Sequence, residues 1–474
     1  MKQLIALLLC LSSTGLFAQE VIATEEQPIT LAFILTSGFG IQVDYNVRNY
    51  AVTYTTTDAF GRPDTATGLL CVPDAAVPTV FPLLVYNHGT VDTRDGVPSV
   101  QGVQERFVAQ AFAAFGFITV APDYLGLGGD DGIHPYLHAA TEASAGRDML
   151  IAVRAWLDEQ DIPRNNQVFA TGYSQGGHAS MALQQDLELN ENTPSLTAAA
   201  HLSGPYIILP PTPQSLAISE PDPRTLRFSL RQAIAYEHVY NLYGGIDSLF
   251  REPYLSEVNR FLDDEIDLME LGVVVDSLVR ANATVVGEIF TEEYVNDVID
   301  RDPALLAAYR DNTVLDFAPA NPTLLVYCNA DEVVSPLNAQ LALDTMRARG
   351  STMVDSLDAG AFDHLGCVGP AVLAAVAFFR PLADVHSTSL GTPTDRADIT
   401  LAPNPAPAGT LLNVSGLNAP RPYVLYDQSG RVLHSGRTGP NGQFRLPGTV
   451  PPGTLVVRIG LADGSSVVKR VVVR

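Results

Sequence analysis

The sequence predicts an α/β fold: a mostly parallel sheet covered by helices, with an inserted helical cap and a small C-terminal all-β sandwich. Three observations support this prediction. Between residues 29 and 380, β-type runs alternate with amphipathic helical runs. Between residues 205 and 321, the alternation gives way to helical, aromatic-rich sequence. From residue 401 onward, short β-type runs are separated by turn residues.

The elements outside the cap follow in a regular order. A hairpin is predicted for residues 51–72, and strands for 81–89, 117–123, 166–174, 196–204, 321–331 and 351–360. Helices are predicted for 103–116, 143–160 and 370–381. Strands joined by crossover helices pair in parallel, and parallel sheets are buried on both faces.

The N-terminus has the features of a secretory signal peptide, predicted for residues 1–18. Lys2 supplies a positive charge, residues 4–11 an apolar core, and Ala18 a small residue before the cleavage point. This core is too short to span a membrane. We therefore expect the mature chain to begin near residue 19.

The charge distribution divides the rest of the chain. The formal net charge is −24, which disfavours binding to nucleic acid. Residues 401–474 nevertheless contain eight basic and only two acidic residues. The predicted domains are a catalytic domain at 19–385 with its cap at about 205–320, a Pro-rich linker at 386–400, and a β-sandwich at 401–474.

A serine between glycines is the strongest chemical signal. Gly172, Ser174 and Gly176 form G-x-S-x-G between a predicted strand and a predicted helix. A sharp strand-to-helix turn exposes the serine hydroxyl, and the glycines permit close backbone approach. Ser174 is the candidate nucleophile.

The nucleophile needs a base, and His364 is the candidate. In this arrangement the chain order is serine, acid, histidine. His364 lies in a loop between a predicted strand and the last predicted helix. The other eight histidines are excluded. Four of them break the expected chain order: His88, His134, His138 and His201. His238 lies in the cap, His386 and His434 lie in the linker and tail, and the helical His178 is expected to point away from Ser174.

Asp331 is the candidate acid that orients His364. It follows a buried strand in "LLVYCNADEVVSP", at the edge of the sheet where Ser174 is expected. Glu332 and Asp363 are the alternatives. A buried carboxylate at this point would hold the imidazole in the required tautomer.

Attack on a carbonyl creates an oxyanion, which needs two backbone donors. Gln175 N–H, directly after the nucleophile, is one candidate. Thr90 N–H, in "NHGT", is the other, with His88 expected to brace that loop. The acidic pair Asp130 and Asp131 is interpreted as part of a solvated loop, so we expect no metal and no cofactor.

Three cysteines remain after cleavage: Cys71, Cys328 and Cys367. At most one internal disulfide can therefore form. Cys328 precedes the candidate acid by three residues, and Cys367 follows the candidate base by three. If Asp331 contacts His364, these two cysteines must lie close together, and export would allow them to oxidise.

Together these stretches resemble the α/β-hydrolase superfamily, and more closely the secretory lipase family of the yeast lipase A type. The resemblance covers roughly residues 30–381. It rests on "VTYTTTDAFGRPDTATGLLCVP", "YNHGT", "APDYLGLGGDDGIHPYLHA", "TGYSQGGHA", "ADEVVSP" and "DHLG". It implies a serine ester hydrolase with Ser174, Asp331 and His364 as its triad and the cap as a lid.

The C-terminal stretch "LAPNPAPAG…VLYDQSGRVL…KRVVVR" looks like a type IX secretion sorting domain. Leu455 stands where such domains usually have an aromatic residue. The resemblance implies export through the periplasm to the cell surface or the medium, with the secretion machinery as a partner.

The expected function is hydrolysis of carboxylic esters, with an ester or lipid substrate and a lipid interface as a candidate contact. No particular oligomeric state is predicted. An exported serine peptidase of the same fold is one alternative. A non-catalytic, hydrolase-like binding protein is another, and labelling by a fluorophosphonate would distinguish it from an enzyme.

Overall fold

The computed structural model describes residues 19–387, 399–417, 420–427, 432–460 and 466–474. The predicted signal peptide and most of the predicted linker lie outside these residues. The described chain forms two compact units. The first contains Phe81–Val385 and the described residues before Ala75; the second contains Ala75–Val80 and the described residues from His386 to Arg474.

The strands, in chain order, have the following bounds: β1 Val21–Thr30, β2 Asn46–Thr57, β3 Pro63–Asp74, β4 Thr79–Asn87, β5 Ile118–Pro122, β6 Arg164–Tyr173, β7 Ala198–Leu202, β8 Thr323–Tyr327, β9 Val354–Asp358, β10 His386–Ser387, β11 Leu401–Ala402, β12 Leu411–Val414, β13 Pro422–Tyr426, β14 Val432–Arg437, β15 Gln443–Arg445, β16 Gly453–Gly460 and β17 Ser466–Val473.

The α-helices have the following bounds: α1 Ala32–Phe39, α2 Gln104–Ala114, α3 Ala139–Glu159, α4 Gln175–Leu189, α5 Pro213–Leu216, α6 Pro223–Tyr240, α7 Ile246–Leu249, α8 Tyr254–Leu262, α9 Leu268–Ala281, α10 Glu292–Asp300, α11 Pro303–Asp311, α12 Leu337–Ala348 and α13 Val368–Phe379. A 3₁₀ turn covers Val286–Ile289.

The large sheet has the strand order β1-β2-β3-β5-β4-β6-β7-β8-β9. The pairs from β5 to β9 are parallel, and β1, β2 and β3 add an antiparallel edge. Every residue of β4 is buried, as expected for a central strand covered on both faces. The prediction of a mostly parallel sheet is confirmed. The sequence analysis does not predict β1, α1 or α12.

A helical cap is inserted between β7 and β8 and contains α5 to α11. Its apolar side chains form a core of their own, which includes Leu230, Leu271, Val275 and Phe290. Tyr136, from the loop before α3, also belongs to this core. The cap is therefore a packed body seated on a loop of the sheet, as the long amphipathic helices α6 and α9 suggest.

The second unit contains two small antiparallel sheets, β11-β12-β15 and β14-β13-β16-β17. Side chains of both sheets meet in one core, for example Leu412 and Leu425, which are fully buried. This is the predicted β-sandwich. Its core also includes Ile399, so the packed chain begins before residue 401. His386 and Ser387, the first two residues of the predicted linker, form β10 and pair with Val80 and Thr79.

Among the helices of the described ranges, none is both long and apolar enough to cross a bilayer.

Candidate active site

Ser174 occupies a strained turn between β6 and α4. Its backbone has φ 58° and ψ −119°, a conformation that costs energy in a non-glycine residue. The two flanking glycines explain how the turn can form. A Cβ on Gly172 would lie 2.1 Å from Gly176 O, and one on Gly176 would lie 1.9 Å from Asn87 O. The motif therefore packs the start of α4 directly against the ends of β4 and β6.

The structure brings the three predicted residues Ser174, Asp331 and His364 together. His364 Nδ1 donates to Asp331 Oδ2 at 2.8 Å. With that nitrogen protonated, Nε2 is an acceptor, and it lies 2.9 Å from Ser174 Oγ. A hydroxyl that donates to an imidazole, itself oriented by a buried carboxylate, is the arrangement of a catalytic triad.

The environment of Asp331 favours its charged form. Burial by itself raises the pKa, but hydrogen bonds from His364 and from the N–H groups of Val333 and Val334 outweigh it and lower the pKa of Asp331 below its ordinary value. Asp331 is thus an ionised acceptor at neutral pH. The alternative acids do not contact the imidazole in this way: Glu332 Oε2 accepts the backbone N–H of His364 at 3.0 Å, and Asp363 Oδ1 accepts from Gly366 N.

The candidate oxyanion donors lie beside Ser174. A Cβ on Gly89 would be 3.4 Å from Tyr173 O and 3.9 Å from Ser174 Cβ, so the "NHGT" loop packs against the nucleophile turn. Within the described residues, the N–H groups of Thr90 and Gln175 have no protein acceptor. Both therefore meet one requirement for an oxyanion donor, an N–H that the protein itself does not use.

A buried polar network supports the start of α4 from behind. The Gln175 side chain donates to Glu142 Oε1 and approaches His134 Nε2, both at 2.9 Å. His178 lies with Nδ1 2.6 Å from Glu142 Oε2 and Nε2 2.7 Å from Asn312 O. His178 is thus a packed helix histidine. This network joins α4 to α3 and to the end of the cap.

The remaining predicted features also have structural roles. His88 braces the loop that carries the candidate donor Thr90, with Nδ1 2.7 Å from Gly89 O and Nε2 3.1 Å from Asp123 O. The interpretation as a solvated loop holds for Asp131, which is exposed, but is wrong for Asp130, which is buried and accepts the N–H of Gly126 at 2.6 Å. In the described ranges, no three His, Cys, Asp or Glu side chains group so as to hold a metal ion.

Cys328 and Cys367 form a disulfide, and Cys71 is a buried free cysteine. The expectation that the first two lie close together is confirmed. Sequence reasoning missed the supporting contacts, such as the hydrogen bond from Tyr173 OH to His364 O. Tyr173 adjoins Ser174 in the sequence, but no pattern indicates that its hydroxyl reaches residue 364.

Known structures share this architecture. The rice cell wall degrading esterase LipA from Xanthomonas oryzae is 26% identical, with a TM-score of 0.63 over 76% of this chain and 97% of that one. A Legionella pneumophila protein assigned as a hydrolase is 24% identical, with a TM-score of 0.67 over 77% and 98%. Candida antarctica lipase A is 15% identical, with a TM-score of 0.50 over 73% and 77%.

The chain therefore has the α/β-hydrolase fold, as predicted. The similarity to an esterase supports an ester hydrolase in general. No family model and no curated protein matches the chain.

Proposed function

We propose that this α/β-hydrolase of the lipase and esterase kind is a serine carboxylic ester hydrolase with Ser174, Asp331 and His364 as its catalytic triad. The observation that carries the proposal is the continuous hydrogen-bonded line from Asp331 Oδ2 through the imidazole of His364 to Ser174 Oγ. A lone packing histidine would not need both a buried carboxylate and a strained serine at its two ring nitrogens.

The first half of the reaction follows from this geometry. Ser174 Oγ attacks the ester carbonyl carbon while His364 Nε2 takes the hydroxyl proton. The charged imidazole is stabilised by the carboxylate of Asp331. The N–H groups of Thr90 and Gln175 hold the developing oxyanion. His364 then returns the proton to the leaving alcohol oxygen, which leaves an acyl group on Ser174.

The second half repeats these roles with water. His364 Nε2 takes a proton from a water molecule, whose oxygen attacks the acyl carbon. The same donors hold the second oxyanion. Collapse of that intermediate releases the carboxylic acid and returns the proton to Ser174 Oγ.

We assign the acyl group of the substrate to the cap. A cavity of about 410 Å³ lies within it and is lined by apolar side chains such as Leu216, Leu226 and Phe290. Leu365, next to the proposed base, has an exposed fraction of 77%, and Leu209 on the cavity wall has 75%. We propose these two side chains as candidate contacts for a lipid interface.

The second unit is assigned to export. Its separate core and the positive charge of residues 401–474 support a role apart from catalysis. We propose that it is a type IX sorting domain and that the enzyme acts at the cell surface or in the medium. Deletion of residues 401–474 should then abolish export from a type IX-secreting host while leaving the esterase activity of the purified chain intact. Loss of both would contradict this assignment.

The proposed function is tested with a substrate panel and an active-site probe. p-Nitrophenyl esters from acetate to palmitate, a feruloyl ester and a peptide amide are offered to the purified chain, and a fluorophosphonate reports the reactive serine. Ester turnover with labelling of Ser174 is expected. Preferential cleavage of the amide would assign the chain to the serine peptidases instead, and absence of both labelling and turnover would indicate a binding protein.

A further inference from the structure

The cap is attached directly to the loop that supplies one of the proposed oxyanion donors. Two arginines one turn apart on α6 reach this loop. Arg231 Nη1 donates to Val91 O at 2.6 Å, and Arg227 forms an ion pair with Asp92. On α9, the N–H of Leu268 donates to Asp92 O at 2.9 Å. The loop is thus held by the cap as well as by the sheet.

These contacts enclose Thr90. The carbonyl of Gly89 faces His88 Nδ1 on the sheet side, and the carbonyl of Val91 accepts from Arg231 on the cap side. In a trans peptide the C=O and N–H point in opposite directions, so the orientation of the Gly89 carbonyl fixes that of the Thr90 N–H. The Gly89 carbonyl thus sets the direction of the Thr90 N–H, and Arg231 holds the chain on the other side of Thr90 through the Val91 carbonyl.

Arg231 also braces the side chain of Thr90. Its guanidinium lies 5.2 Å from the ring centre of Tyr136, and the Tyr136 hydroxyl lies 2.9 Å from Thr90 Oγ1. Burial lowers the pKa of Arg231 to about 10, so the side chain stays charged at neutral pH. A charge buried in this way is costly unless it is hydrogen-bonded, and the hydrogen bond from Arg231 Nη1 is directed at the loop that carries Thr90.

We propose that Arg227 and Arg231 are positioning residues that hold the Thr90 N–H in the oxyanion hole through Asp92 and Val91. The cap then takes part in transition-state stabilisation as well as in enclosing the acyl group. This inference rests on the proposed function. It implies that a movement of α6 would weaken catalysis even where the triad stays intact.

The experiment separates transition-state stabilisation from substrate binding. Arg231→Met and Arg227→Met are compared with Arg260→Met, a cap arginine whose ion partners are Glu257 and Glu265 on the cap surface. For each full-length chain, kcat and KM are measured on p-nitrophenyl butyrate. Inhibition by an alkyl trifluoromethyl ketone, which forms a tetrahedral oxyanion with the serine, is compared with inhibition by the matched methyl ketone.

For both loop variants we expect kcat to fall by about 10- to 100-fold, with KM within about threefold. Inhibition by the trifluoromethyl ketone should weaken in parallel with the fall in kcat/KM, while inhibition by the methyl ketone should stay as in the wild type. The Arg260→Met chain should behave as the wild type. Wild-type kcat in folded variants would overturn the inference. Equal weakening of both ketones would also overturn it, since that is the effect of a damaged pocket.

A second pair of variants covers a folding failure. If Arg231→Met does not fold, two other variants test the inference. Arg231→Lys keeps a buried cation, and Arg227→Met replaces a side chain that is 15% exposed. The Ser174→Ala chain is measured alongside them. Activity in that chain would refute the proposed function itself, whereas an inactive Ser174→Ala with normal arginine variants would refute only the role of the cap.

Discussion

Cys328 and Cys367 form a disulfide that joins the two loops supplying Asp331 and His364. Cys328 follows directly after β8, and Cys367 is the residue before α13. The bond closes a loop across a sequence separation of 39 residues. It therefore restrains the spacing of the acid and the base in the proposed triad.

Reduction of this bond is expected to destabilise the chain and slow the enzyme. Loop closure of this length contributes about 3–4 kcal/mol. The Tm should fall after reduction and alkylation, and kcat should fall more than KM rises. The Cys328→Ala/Cys367→Ala chain is the control, because a reductant should not change it further. An unchanged Tm after both thiols have been alkylated would contradict this prediction.

Substitutions of the two adjacent acids Asp331 and Glu332 are expected to differ sharply in their effect on kcat. Asp331→Asn removes the charge that stabilises the imidazolium, so kcat should fall by about 10²- to 10⁴-fold. Glu332→Gln keeps an oxygen that can accept the backbone N–H of His364, and its kcat should stay within about tenfold of wild type. Kinetics on p-nitrophenyl butyrate measure both. A larger loss of kcat for Glu332→Gln than for Asp331→Asn would indicate that Glu332 is the acid that stabilises the imidazolium.

Asp130 gives a prediction for the pH dependence of stability. Burial raises the pKa of Asp130 to about 6, although the hydrogen bond from the Gly126 N–H acts in the opposite direction. The folded chain thus binds this proton more tightly than the unfolded chain. The resulting stabilisation is complete below the ordinary pKa of 3.8 and is lost as the pH rises through about 6.

The free energy of unfolding of Asp130→Asn should therefore match that of wild type near pH 4. Near pH 8 it should exceed that of wild type by roughly 1–2 kcal/mol. Denaturant unfolding at both pH values measures the difference. Asp131→Asn, at the exposed neighbouring position, is the matched control and should show little gain. A stability gain for Asp130→Asn that is the same at both pH values would show that ionisation is not its cause.

Filling the cap cavity should change which acyl chains are accepted. Thr225 and Ser229 line the cavity and are exposed, so Thr225→Trp and Ser229→Trp can occupy it without disturbing the core. The ratio of palmitate to acetate kcat/KM should fall by at least about tenfold. Ser277→Trp, exposed on α9 outside the cavity, should leave the ratio unchanged. An unchanged ratio in all three chains would place the acyl group elsewhere.

Local pattern was sufficient for strands β2 to β9 of the large sheet and for the three residues Ser174, Asp331 and His364, which lie in contact. β4 and β6 are buried runs with turn signals, and the G-x-S-x-G glycines are required by contacts under 3 Å. β1 could not be predicted in the same way, because most of its side chains are exposed and, among the described strands, it pairs with β2 alone. An edge strand held by backbone bonds leaves little hydrophobic signal.

The supporting contacts of the site were beyond sequence reasoning for a different reason. Arg231 lies 140 positions from Val91, and His364 lies 32 positions from Glu332. Each of these bonds joins a side chain to a backbone atom. Backbone N–H donors and C=O acceptors have the same chemistry at nearly every residue, so the sequence cannot indicate which carbonyl a distant arginine will meet or which N–H a distant carboxylate will meet.

The most direct test of the central claim is the activity of Ser174→Ala, assayed on p-nitrophenyl butyrate in chain purified free of host esterases. Alanine fits the same turn and removes only the attacking oxygen, so the far-UV CD spectrum and the Tm should remain close to wild type. The rate should fall by at least about a thousandfold, and fluorophosphonate labelling should disappear. A folded Ser174→Ala chain that hydrolyses the ester at a rate near that of wild type would contradict the assignment of Ser174 as the nucleophile.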